Sequence, residues 1–133
     1  CTYFCGSGVY FEGDYLKMPA ECSDAAKRKT DQLFNRQYRA KQYAQAVSTL
    51  RQMWQTCAPT MHWLEEMSIR NNLAVTYAKM GDKDQCSKIL QPYKKEIVSK
   101  NPMEERDPPV TYVFEEEYKV QLKNARYNWK LCQ

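Results

Sequence analysis

Asn71-Asn72-Leu73-Ala74-Val75-Thr76-Tyr77-Ala78-Lys79-Met80-Gly81-Asp82 decides how this chain folds. Leu73, Ala74, Tyr77 and Ala78 recur at the spacing of a helix face. Gly81 then stands where a helix end needs a residue that adopts the left-handed conformation cheaply. Read backwards from that stop, the helix begins near Thr60 and runs to Met80. Trp63, Leu64, Met67 and Ile69 extend its apolar surface to more than one side. A helix apolar over so much of its circumference lies between neighbours.

The neighbours are legible on either side. Upstream, Tyr43, Ala46, Val47, Leu50, Met53, Trp54 and Cys57 form one helical stripe, ended by Ala58-Pro59-Thr60 because proline cannot continue the hydrogen-bond ladder. Before it, a helix opens at Ser23 or Asp24, either a good N-cap, and carries Ala26, Thr30, Leu33, Phe34 and Tyr38 until about Lys41-Gln42. Downstream, Cys86, Ile89, Leu90, Tyr93 and Ile97 mark a fourth helix, which Pro92 should kink or restart. Residues 100–110 read as a polar loop broken by three prolines. A last helix spans about Phe114 to Leu131, with Tyr118, Leu122, Ala125, Trp129 and Cys132 on its buried stripe. Residues 1–22 hold three cysteines, three of the four glycines and five aromatic residues without a helical period. They are expected to form an irregular, disulfide-tethered lid over the first helix; the other use of the aromatics is a contact surface. The expected fold is all-α: a single domain with a lid at 1–22, two helical hairpins over 23–99, a loop at 100–110 and a capping helix over 111–133.

Composition narrows the function. A length of 133 residues suits one domain. The net charge of +4 comes from 20 bases mixed among 16 acids, and the densest run is Lys27-Arg28-Lys29, so no nucleic-acid partner is expected. No apolar stretch reaches the length of a transmembrane helix. Six cysteines, Cys1, Cys5, Cys22, Cys57, Cys86 and Cys132, contain no Cys-x-x-Cys pair. Disulfides in an oxidising compartment, the periplasm or the cell exterior, explain them better than metal binding. A removed signal peptide fits that location. Cys1 is expected in a disulfide; the alternative is the lipidated first cysteine of a lipoprotein, which would leave an odd thiol.

Catalytic patterns are missing. The one histidine, His62, stands at a helix start beside Trp63 and reads as a surface or capping residue. Gly-rich phosphate loops, His-Glu-x-x-His and Gly-x-Ser-x-Gly are absent. Glu65-Glu66, Glu104-Glu105 and Glu115-Glu116-Glu117 are adjacent acids that point in different directions on a helix, suited to helix starts and solvent. No cofactor and no metal are expected.

Tyr38 through Ala46 and Tyr77 through Cys86 share a plan: an aromatic near the end of one helix, a short turn, then a small residue where the next helix crosses. With Leu73, Ala74, Tyr77 and Gly81 on signature positions, the chain over about 24–99 resembles the tetratricopeptide repeat family, in a secreted, disulfide-containing form. It departs from that family in its 40-residue interval from Ala46 to Cys86, against about 34. Lys83 replaces the usual aromatic, Tyr93 replaces a small residue, and there are about two repeats. The resemblance implies partner binding on the inner face of the first helix of each hairpin. There Asn35 and Asn72 align with asparagines that hold a peptide backbone or terminal carboxylate; their other use is to bridge helices. Arg39, Val75 and Lys79 share that face. Asp31 stands near the place of the clamp lysine. In stacked hairpins of this kind Cys57 and Cys86 are expected to pair, leaving Cys1, Cys5, Cys22 and Cys132 for two bonds that tie the termini to the body.

The expected function is a non-enzymatic protein–protein interaction module, an adaptor or assembly subunit of a bacterial envelope or extracellular complex, binding a protein or peptide. The alternative is a disulfide-stabilised inhibitor or immunity protein that blocks a secreted enzyme or toxin. An enzyme using His62 or a cleft between the lid and the bundle is the third reading.

Overall fold

Ser23 opens α1 (Asp24–Arg39) in the computed structural model, which describes residues 18–133; its Oγ accepts the backbone N–H of Ala26 at 3.1 Å. Most of the expected lid at 1–22, with Cys1 and Cys5, lies outside the described residues. The remaining elements follow as α2 (Tyr43–Cys57), α3 (Trp63–Lys79), α4 (Lys83–Leu90), α5 (Lys94–Val98), α6 (Pro102–Glu105) and α7 (Glu115–Leu131). The described residues contain helices and turns and no strand. The all-α expectation therefore holds, with helix ends within a few residues of those read from periodicity.

The helices pack in chain order. α1 lies on α2, α2 on α3, α3 on α4, and α7 covers α3 and α4. The central helix α3 buries Leu64, Met67, Ile69, Leu73, Ala74, Thr76 and Tyr77 around most of its circumference, as its composition required. α2 buries Ala46, Val47, Leu50, Met53 and Cys57, the expected stripe. α1 is more lightly seated: Phe34 is buried, but Leu33, expected on the core face, is 38% exposed. α7 buries Tyr118, Leu122 and Ala125.

The two hairpin turns repeat at an interval of forty residues. Ala40 N–H donates to Arg36 O, Lys41 to Tyr38 O and Gln42 to Gln37 O; Met80 donates to Thr76 O, Gly81 to Ala78 O and Asp82 to Tyr77 O. In both turns the six-residue ring places one residue in the left-handed region, Lys41 at φ 63° and Gly81 at φ 81°. This register sets Tyr38 against Ala78 and Tyr77 against Gln37, so the two tyrosines are not counterparts. Tyr38 packs on Phe34 and Tyr43, whereas Tyr77 is buried and accepts Arg51 Nε at 2.7 Å. No atom stands within 4 Å of a Cβ built on Gly81. Gly81→Ala should therefore cost about 1–2 kcal/mol from backbone conformation alone, and Lys41→Gly should stabilise by a similar or smaller amount. Urea unfolding of the two variants checks both signs.

Pro92 breaks the expected fourth helix outright. α4 ends at Leu90, a 3-10 turn covers Gln91–Tyr93, and α5 restarts at Lys94. The Ile89 carbonyl at the break is taken by Arg70 Nη1 at 2.9 Å, while the Arg70 guanidinium stacks on Trp54 at 4.5 Å. At the other end of α5, Arg126 donates to the carbonyls of Ile97, Ser99 and Glu96. The loop expected over 100–110 contains one helical turn, α6, and Asp107-Pro108 is cis.

The expected Cys57–Cys86 bond does not form. Cys22 pairs with Cys57, Cα atoms 5.5 Å apart, and Cys86 pairs with Cys132 at 5.3 Å. Helix direction explains the correction. Cys57, at the end of α2, sits at the N-terminal end of α3, whereas Cys86, near the start of α4, sits at its C-terminal end. The 17 residues of α3 separate those ends by about 25 Å. Cys57 instead meets the turn Ala20–Cys22 that leads into α1, and Cys86 faces the end of α7. Two disulfides in a small helical chain indicate an oxidising, non-cytoplasmic folding environment. No helix among the described residues is long and apolar enough to cross a membrane.

Candidate partner groove

α1 and α3 present matching faces. Lys27, Asp31, Phe34 and Asn35 recur at helical spacing on α1; Glu65, Ser68, Ile69 and Asn72 do so on α3. With Met53 of α2 these residues line an open groove of about 270 Å³. Its floor is apolar, from Phe34, Ile69 and Met53, and its walls are polar.

One ion pair spans the groove: Lys27 Nζ donates to Glu65 Oε2 at 2.6 Å. Glu65 Oε1 accepts the backbone N–H of His62 at 3.2 Å. Burial alone would raise the Glu65 pKa, but the hydrogen bonds from Lys27 and His62, with the charge of Lys27, outweigh it and hold the carboxyl below its ordinary value. Asp31 shifts the other way. Its carboxyl is raised above 3.8, first by loss of water contact in the groove and then by the charge of Glu65, with Lys27 opposing. At neutral pH the groove holds one cation and two anions, a net charge of −1 from these three groups.

The five residues expected to contact a partner divide between two places. Asn35 and Asn72 line the α1–α3 groove. Neither side-chain amide has a hydrogen-bond partner among the described residues. The inter-helix bridging that was their other expected use falls to Asn71, whose Nδ2 donates to Gln121 O and Oε1, both at 2.9 Å, and whose backbone carbonyl accepts Asn128 Nδ2 at 3.1 Å. Val75 and Lys79 line a second depression with Tyr38, Ala78, Tyr127 and Leu131, where α7 stands beside α3. Arg39 lines neither; it is exposed, and its Nε donates to the Asn35 carbonyl at 3.3 Å.

Three contributors escaped sequence reading. Lys27 belonged to a basic run and Glu65 to an adjacent acid pair, each ordinary for a solvated helix face. Tyr127 lies off the buried stripe of α7 and is 64% exposed. Only an exposed aromatic away from the core face signalled it.

His62 is the N-cap of α3. Its Nδ1 accepts the Leu64 N–H at 3.2 Å, and its exposed ring packs on Phe114 at 4.8 Å. That matches the capping role expected for it. Among the described residues no cluster of three or more His, Cys, Asp or Glu side chains has the arrangement of a metal site. The chain matches no family model, no characterised protein and no solved structure.

Proposed function

We propose that this protein is a non-enzymatic binding module of the tetratricopeptide type, which takes an extended segment of a partner protein along the α1–α3 face. It acts as an adaptor or assembly subunit of a bacterial envelope or extracellular complex, in the periplasm or outside the cell. The observation that carries this reading is the pair of side-chain amides, Asn35 and Asn72, without a hydrogen-bond partner among the described residues, in one groove with an apolar floor. An amide side chain matches the donor and acceptor of a peptide backbone at once. The stacked hairpins and the helix-capping role of His62 support the same reading.

The groove differs from a carboxylate clamp in charge. Lys27 is spent on Glu65, and Asp31 adds a second anion, so a terminal carboxylate is disfavoured and a basic side chain is favoured. The preferred ligand is an extended segment with a lysine or arginine near Asp31 and an apolar residue over Phe34 and Ile69.

Selection of displayed peptides on the purified chain tests this. The selected peptides should carry a basic residue, and Asn35→Ala with Asn72→Ala should weaken them about tenfold, two hydrogen bonds at ~0.5–1.5 kcal/mol each. A selection that yields nothing, or ligands indifferent to both substitutions, rejects the groove. Acidity gives a second check. Protonating Asp31 removes one of two anions, so affinity for a basic peptide should fall as pH drops through the Asp31 titration, above 3.8. Asp31→Asn should abolish most of that dependence, because Glu65 stays ionised to lower pH beside Lys27.

A further inference from the structure

The cleft between α5–α6 and α7 is larger than the α1–α3 groove, about 940 Å³, and opposite in charge. Among the described residues its lining includes Lys100, Lys119, Lys123, Arg126 and Lys130 and no acidic residue. The four α7 members fall at i, i+4, i+7 and i+11, which is one helix face.

These cations are not equivalent. Lys119 is already paired, with Glu115 at 2.9 Å and Glu116 at 3.8 Å. Arg126 spends its guanidinium on the carbonyls of Ile97, Ser99 and Glu96, and so holds the two walls at their spacing. Lys100, Lys123 and Lys130 are exposed and have no ion-pair partner among the described residues. Three uncompensated ammonium groups thus surround one concavity. Its apolar floor is what Met103, half-buried, and Tyr127, 64% exposed, leave open; Ile97, Leu122 and Tyr118 beneath them are already covered by the fold.

We propose that this cleft binds an acidic peptide segment of a partner protein, with an apolar side chain set between carboxylates. Charge complementarity supplies the sign, and the floor supplies the need for an apolar group. A phosphate or a nucleic-acid backbone alone would leave that floor uncovered. Lys119 to Lys130 spans about 16 Å at the helical rise, the reach of roughly five residues of extended chain. The cleft shares no lining residue with the α1–α3 groove, so one module would hold a basic segment in the groove and an acidic segment in the cleft.

Fluorescence anisotropy on the full chain decides the matter. The probe is a dye-labelled peptide alternating Glu-Asp pairs with Leu, and the control is its Gln-Asn counterpart. The acidic peptide should bind at least about tenfold tighter than the control. Lys123→Glu with Lys130→Glu should remove that advantage, and both positions are exposed, so the melting curve should be unchanged. Asn35→Ala with Asn72→Ala should leave acidic-peptide binding intact, which separates this site from the groove. Equal affinity for the two peptides overturns the proposal, as does binding indifferent to the lysine reversals. Retention by phosphatidylglycerol vesicles that depends on both lysines, without peptide binding, overturns it in favour of a lipid surface.

Discussion

Tyr118→Ala is expected to be the most damaging single substitution in this chain. Tyr118 is fully buried where α7 meets α3 and α5, its ring 5.9 Å from that of Trp63. Its hydroxyl donates to Glu96 Oε1 at 2.7 Å. Glu96 is itself buried, and the same oxygen accepts Arg106 Nη1 at 3.1 Å, while the Arg106 guanidinium stacks on Trp63 at 4.4 Å. Truncation leaves a ring-sized void, about 3–5 kcal/mol, and takes a hydrogen bond from a buried carboxylate. Against a total stability of about 5–15 kcal/mol, that is a large share. Tyr118→Phe isolates the hydroxyl at about 1–3 kcal/mol, because Arg106 still serves Glu96. Urea midpoints followed by circular dichroism give both values. A Tyr118→Ala midpoint near that of the unmodified chain would show that α7 is not held through this residue.

The same cluster predicts an alkaline limit. Burial, then the hydrogen bond to Glu96 and its charge, push the Tyr118 hydroxyl well above its ordinary 10.0. The folded chain therefore keeps a proton that the unfolded chain releases. This contribution is complete below about pH 10 and declines as pH rises toward the folded value. Tyr118→Phe should flatten part of that decline; Tyr93, raised chiefly by burial, retains the rest.

Loss of the Cys86–Cys132 bridge ranks second. It closes a separation of 46 residues and fastens the end of α7 to α4. Constraining the unfolded chain over such a loop contributes about 2–4 kcal/mol. Cys86→Ser with Cys132→Ser should thus lower the melting temperature by about 10 °C. Cys22→Ser with Cys57→Ser, over a separation of 35, should act similarly at the other end of the stack. Peptide mapping without reduction must yield the linked pairs Cys22–Cys57 and Cys86–Cys132; a Cys57–Cys86 fragment would contradict the arrangement.

The helices were legible because each is specified by nearby residues. Ser23 caps α1, Pro59 ends α2, Gly81 takes the left-handed turn after α3, and the stripes of α2 and α7 name their buried faces. The site was partly legible: Asn35 and Asn72 were singled out and share a groove, while Val75 and Lys79 lie in the next depression. Arg39 lines neither depression: its side chain is exposed and turns back along α1 to the Asn35 carbonyl, 3.3 Å away, a local contact that helical periodicity does not reveal. The interior of the Pro-rich loop was also missed, since a single turn such as α6 carries too few residues to show a period.

Local rules thus determined the longer helices, their order and most of the faces they bury. What they left undecided were relations between residues far apart in the chain: Cys22 with Cys57, Cys86 with Cys132, Lys27 with Glu65, and Glu96 with Tyr118 and Arg106. Each depends on which ends of antiparallel helices come together. Helix length and direction decide that only once the stack has assembled, because a helix about 25 Å long carries its two ends to opposite sides of the molecule.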